Sequence, residues 1–206
     1  MATGMTNYAL YGAVVNNNAF MPNDPIISYG LSEVSGSPPV VSYGAIGLDG
    51  DLGDWADGTR LDTPATGWSG YALYGGVQGE AFVFAIDSDS VAIGANTTIW
   101  LDSDLDRSTG YQIFGFTGGA EYNVNFGADG VARLYTGAAG DTFVADLDYQ
   151  FSADNKTVEL AVAKDLLAGA PSEVRVFADV NDSAYLPNDY PSMDFFVGEE
   201  NAILIA

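Results

Sequence analysis

The sequence predicts an all-β domain, an antiparallel β-sandwich, and three observations lead there. Short runs rich in Val, Ile, Phe, Tyr and Thr alternate with clusters of Gly, Asp and Asn every 8 to 15 residues, the rhythm of strands and turns in a sandwich or barrel. The chain carries 25 glycines, which give turns the backbone freedom they need. Only one stretch, KDLLAG at 164–169, looks helical, and it is about one turn long.

The strands are read in order. YALYGG (71–76) and EAFVFAID (80–87) are aromatic and apolar runs separated by a glycine-containing turn. TTIWLD (97–102), YQIFGF (111–116) and AEYNVNF (120–126) follow, then VARLYT (131–136) and the longer FVADLDYQF (143–151). TVELAVA (157–163), VRVFADV (174–180) and DFFV (194–197) complete the set. Between them, GADG at 127–130 and SADNK at 152–156 place Gly, Asp and Asn where positive φ or side-chain-to-backbone bonding is required.

A chain of 206 residues is by default one domain with a substantial core. The organisation read here is an N-terminal strand segment at 1–31, a Ser/Pro/Gly linker at 32–45 and a sandwich domain at 46–206. Pro38 and Pro39 favour an extended linker. Ahead of it, NYALYGAV (7–14) echoes GYALYGGV (70–77), and NAFMPND (18–24) echoes SAYLPND (183–189). The pair of echoes marks the segment as a remnant of a tandem copy, or as a donor strand for self-association through residues 7–30.

Charge narrows the partners. There are 28 acidic against 6 basic residues, a net charge of −22, with no histidine and no cysteine. Nucleic-acid binding depends on Lys and Arg displacing counterions from phosphate, which so few basic residues do not supply. An anionic membrane surface is excluded on the same ground, and no apolar run is long enough for a membrane span. Without cysteine, disulfides, thiol redox chemistry and thiolate metal sites are absent. The N-terminal MATGMTNYALYGAVV lacks the basic start of a signal peptide.

Of the acidic residues 21 are Asp and 7 are Glu, a bias toward the short carboxylate that supplies hard oxygen ligands from loops. It concentrates in WLDSDLDRSTGYQIFGFTGGAEYNVNF (100–126), where Asp102, Asp104 and Asp106 stand at alternate positions. The spacing begins like an EF-hand, but Arg107 occupies the position that needs Gly and Ile113 the one that needs Glu. A different closure is available: a turn at Thr109-Gly110 and a return through Gly118-Gly119 bring Glu121 beside the aspartates as a fourth ligand for Ca²⁺. The competing reading is a solvated turn in which Arg107 offsets part of the charge. LDGDLGDWADG (48–58) and DVNDSAYLPNDY (179–190) are also oxygen-rich, and both suit ordinary Asx turns.

The opening IGLDGDLGDWADGTRLD (46–62) resembles the "IDG…DW" start of carbohydrate-binding module family 9 and DOMON-like domains. The D-x-D…TGY…GGAEYN block, LYTGAAGD and DVNDSAYLPNDY are similar to repeats in large secreted bacterial proteins that also carry calcium-binding modules. The resemblance spans about 46–206 and implies a jelly-roll-like sandwich, a secreted or cell-surface location, and a non-catalytic role binding sugar, haem or nothing known. Haem is disfavoured, because the family's axial ligands include His and this chain has none. For sugar, the family stacks aromatic rings on a pyranose face; the candidates are Trp68, Tyr71, Tyr111 and Tyr122. Trp55, in the opening motif, is expected to plug the core, and Trp100 sits in an apolar strand.

Catalysis finds little support: a chain without His or Cys has no ordinary triad, and GWSG (67–70) lacks the nucleophile-elbow spacing. The expectation is a non-catalytic, calcium-stabilised module that binds a polysaccharide or glycan, or serves adhesion. The alternative is a structural subunit of an extracellular fibre or surface layer that polymerises by exchanging its N-terminal strand.

Overall fold

The computed structural model describes residues 41–43, 46–56, 59–115 and 118–198, which fall in one compact unit beginning at Val41. The N-terminal segment and Pro38 and Pro39, on which the tandem-copy and donor-strand readings rest, lie outside the described residues.

Strands are β1 (Val41–Tyr43), β2 (Ile46–Leu48), β3 (Tyr71–Gln78), β4 (Ala81–Ser88), β5 (Thr98–Asp102), β6 (Tyr122–Phe126), β7 (Ala132–Thr136), β8 (Thr142–Asp146), β9 (Asp148–Phe151), β10 (Thr157–Ala163), β11 (Val174–Val180), β12 (Ala184–Leu186) and β13 (Phe195–Val197). They build a two-stranded sheet β1-β2, a four-stranded sheet β3-β4-β10-β9, and a seven-stranded sheet β12-β11-β5-β6-β7-β8 with β13 also on β11. All pairings are antiparallel. The all-β expectation holds: there is no α-helix among the described residues, and KDLLAG forms one 3₁₀ turn, Lys164–Leu166. No helix among them is long and apolar enough to cross a membrane.

Side-chain alternation explains the layers. Phe82, Phe84, Ile86, Val158, Leu160 and Val162 of the four-stranded sheet meet Ile99, Leu101, Val124, Leu134, Val174 and Val176 of the seven-stranded sheet in one buried cluster. Strands β4 and β11 are buried along nearly their whole length because both of their faces are covered. The outer side of the four-stranded sheet, Val83, Ala85 and Ala161, is capped by Ile46, Leu48 and Trp55, so Trp55 is a core residue as expected. The outer side of the seven-stranded sheet carries Phe177 under Ile113, Ala120 and Tyr190.

Four expectations change. The run 143–151 is two strands in different sheets, divided at Leu147. Tyr111 makes a single bridge to Ala120 and the chain then coils into a 3₁₀ turn, Ile113–Gly115, so the described part of 111–116 is a loop. β1 falls inside the stretch read as linker. β12, three residues long, was hidden in the oxygen-rich 179–190 segment.

Candidate functional site

β5 ends at Asp102, whose outward-facing side chain is fully buried at 0% exposure. The register sets Arg175 of β11 opposite it, and the Arg175 Nη1 donates to Asp102 Oδ2. Arg175 Nη2 also donates to the Leu105 carbonyl at 3.2 Å, fixing the start of the following loop. The second oxygen of Asp102, Oδ1, has no hydrogen-bond partner. Burial pushes this carboxyl up to about 6, Arg175 opposes the rise, and the Glu121 carboxylate adds to it.

The chain leaves the sheet at Asp102 and returns at Glu121, closed by the Tyr111–Ala120 bridge with bonds of 2.7 and 3.0 Å. Gly110, at φ 59°, lets the loop approach closely, since a Cβ there would lie 2.5 Å from Glu121 Oε1. Glu121 Oε2 accepts from the Ser103 amide at 2.9 Å, and Asp104 Oδ1 accepts from the Asp106 amide at 2.9 Å. One carboxylate oxygen each from Asp102, Asp104 and Glu121 lies within 4.8 Å of the others, and this triad could hold a metal ion. The donor supply is short. Thr109 Oγ1 lies within 3.2 Å of both Asp104 oxygens, the Asp106 carbonyl and Glu121 Oε1, yet it has a single proton to give. An oxygen-rich, donor-poor pocket suits a hard cation.

Asp106 stands apart from the triad. Its Oδ1 accepts from the Ser108 amide at 2.9 Å and the Ser108 hydroxyl at 2.6 Å, which holds its carboxyl below the usual range. Arg107, which the solvated-turn reading set against the aspartates, also reaches the 190–194 segment. It donates to the carbonyls of Tyr190 at 3.0 Å and Met193 at 3.2 Å and pairs with Asp194. Sequence reasoning missed Arg175 and Thr109; the one hint was a basic residue inside the strand-like run VRVFADV, and nothing in the sequence paired it with Asp102.

The aromatic candidates separate. Trp68 is 41% exposed and stands edge-on to Tyr185, ring centres 6.0 Å apart. Phe114, 52% exposed, meets the same Tyr185 at 5.7 Å. Tyr185, Phe114, Asn188, Asp189, Tyr190 and Pro191 line an open cleft of about 620 Å³. Tyr71 packs partly against the core and lines a smaller recess with Trp68. Tyr111 stacks on Trp100 at 5.0 Å and covers it. Tyr122 is a correction: it is buried at the start of β6, where alternation turns it inward, and its Oη accepts from the Ala168 amide at 2.8 Å, so it is core and has no face to offer a ligand.

The other oxygen-rich segments brace loops, as their Asx reading allows. Asp51 caps the 3₁₀ turn Leu52–Asp54, and Asp54 accepts from the Gly47 amide; Asp57 lies outside the described residues. Asn181 Oδ1 accepts from the Gly94 amide at 2.9 Å. Asn188 ties its loop to the one carrying Trp68, donating from its amide to the Thr66 carbonyl at 2.8 Å and from Nδ2 to the Gly67 carbonyl at 3.0 Å. Asp179 is buried with Oδ1 unpartnered, and burial pushes it up to about 6.

No protein-family model matches the chain, and no curated protein matches it.

Proposed function

We propose that this chain is a non-catalytic extracellular β-sandwich module that binds Ca²⁺ through the 102–121 loop and carries carbohydrate on its loop aromatics. The observation that carries the metal is the fully buried, unpartnered Oδ1 of Asp102 beside two more carboxylates. A fully buried carboxylate oxygen without a partner is costly, and a cation shared with the exposed Asp104 and the half-buried Glu121 offsets that cost while relieving the repulsion among the three. Loop-borne carboxylates with irregular spacing suit Ca²⁺, which accepts flexible geometry, better than Mg²⁺, which demands an octahedron. Exposed Trp68 supports the sugar reading. The resemblance to carbohydrate-binding module family 9 and DOMON-like domains supports both.

Thermal melts test the metal. Millimolar Ca²⁺ is expected to raise the Tm by several degrees over EGTA, because a ligand bound only by the native state stabilises it. Asp104→Asn is expected to remove most of that rise, with Mg²⁺ acting more weakly. A Tm indifferent to Ca²⁺ rejects the site.

A second reading, polymerisation by strand exchange, is favoured by one observation: the N-terminal NYALYGAV copies β3, and β3 is the edge strand of the four-stranded sheet. Under it, the full chain forms oligomers by size exclusion with light scattering, and deleting 1–36 leaves a folded monomer. A full chain that stays monomeric at high concentration rejects it.

A further inference from the structure

Trp68 and Phe114 belong to loops and Tyr185 to the short strand β12, three segments far apart in sequence, and each of the outer two rings meets Tyr185 edge-on. Two of these segments are tied directly, Asn188, just after β12, bonding to 65–67 at 2.8–3.2 Å. The third, which carries Phe114, begins at Asp102 and ends at Glu121, the two sides of the carboxylate triad. Phe114 is bulky, sits at φ 50°, and remains more than half exposed. A left-handed conformation is strained for such a residue, and burial does not compensate it here. What fixes the ring is its loop, anchored by the buried Ile113 next to it in the chain, by Arg107 holding 190–194, and by the Tyr111–Ala120 closure.

From this we infer that the metal centre and the aromatic cleft are one composite site, in which the cation closes the 102–121 loop so that Phe114 completes, with Trp68 and Tyr185, a platform for the ring faces of a neutral hexopyranose glycan. The inference rests on the carbohydrate reading and adds the coupling and the ligand class. Without a cation, three carboxylates within 4.8 Å repel one another at the ends of the loop, which loosens the closure that seats Phe114. The neutral class follows from charge. The cleft beside Phe114 and Tyr185 offers Asn188 and Asp189 for hydroxyls and no Lys or Arg, and Arg60 in the recess beside Trp68 is already paired with Asp62, on a chain of net charge −22. A uronate or sulfate would meet like charge; a neutral sugar meets ring faces and acceptors. Coupling is reciprocal, so bound glycan also tightens Ca²⁺.

The test is affinity gel electrophoresis of the full chain through hydroxyethylcellulose, galactomannan and xylan, with hyaluronate and carboxymethylcellulose as anionic probes, in Ca²⁺ and in EGTA. Retardation by at least one neutral polymer is expected, weakened at least tenfold in EGTA and in Asp104→Asn. Trp68→Ala and Phe114→Ala are expected to abolish it, with the Ca²⁺-dependent rise in Tm of each variant reporting that it folds. Phe143→Ala, an exposed aromatic on β8 packed against Tyr135, is the control that keeps retardation. Retardation by no polymer overturns the carbohydrate reading and the inference with it. Retardation that survives EGTA, or survives Phe114→Ala, overturns the coupling and leaves carbohydrate binding in place. Retardation confined to the anionic polymers overturns the ligand class.

Discussion

Asp102 shows what one residue can do when a sheet carries it under a loop. Its carboxyl, pushed up to about 6 by burial, sits above the unfolded value of 3.8, and Asp179 is raised to about 6 in the same way. For an acid raised on folding, the native state holds the proton more tightly than the unfolded chain. The stabilisation is therefore fully present below about pH 4 and is lost as pH rises through about 6. Each group contributes on the order of 1–3 kcal/mol. In EGTA, the Tm is expected to be several degrees higher at pH 5 than at pH 7.5. Ca²⁺ needs the ionised carboxylate, so its own stabilising shift runs the other way and is larger at pH 7.5. Melts on a pH grid with and without Ca²⁺ check both; a metal-free Tm that climbs from pH 5 to 7.5 contradicts the assignment. The residues of this site were largely legible: the alternating aspartates and a return to Glu121 could be read from spacing. Arg175 could not, because strand register, which sets it opposite Asp102, depends on pairing between residues 73 apart.

At the scale of elements, the turn-bounded strands were legible because β-branched and aromatic runs between Gly and Asp state their own limits. Those that failed depended on distant partners. The run 111–116 has strand composition, but the loop closes at Tyr111 and Ala120 and no long partner faces it. The piece that covers the four-stranded sheet is another case. Glu159 of β10 is fully buried, and accepts from Trp55 Nε1 at 2.6 Å, from the Asp49 amide at 2.9 Å and from the Gly50 amide. Burial raises its carboxyl and those donors oppose the rise. Glu159→Ala leaves the buried Trp55 Nε1 and the part-buried Asp49 and Gly50 amides without an acceptor and loosens the 46–55 cover, at an expected cost of about 2–4 kcal/mol. Urea unfolding measures it; a loss below about 1 kcal/mol would show that the cover is held by Ile46, Leu48 and Trp55 packing alone.

For the whole molecule, the sandwich was readable as a class because two covered sheets impose an apolar alternation that survives any detail of order. The strand order, with β12 and β13 sharing β11, was not readable, since it is decided by which edges remain open after the core is closed. Leu147 alone separates β8, the edge of one sheet, from β9, the edge of the other, and its amide bonds to the Ala132 carbonyl at 3.0 Å. Edge strands are ordinarily the first to fray, each sheet opening on its own terms. A joint of one buried residue is expected to make the fraying of either edge pull on the other, which would join the two sheets in a single cooperative unit. Native-state hydrogen exchange should then give the β8 and β9 amides one common opening free energy, close to that of global unfolding, and replacing Leu147 with a flexible Gly-Ser-Gly insert should split it into two.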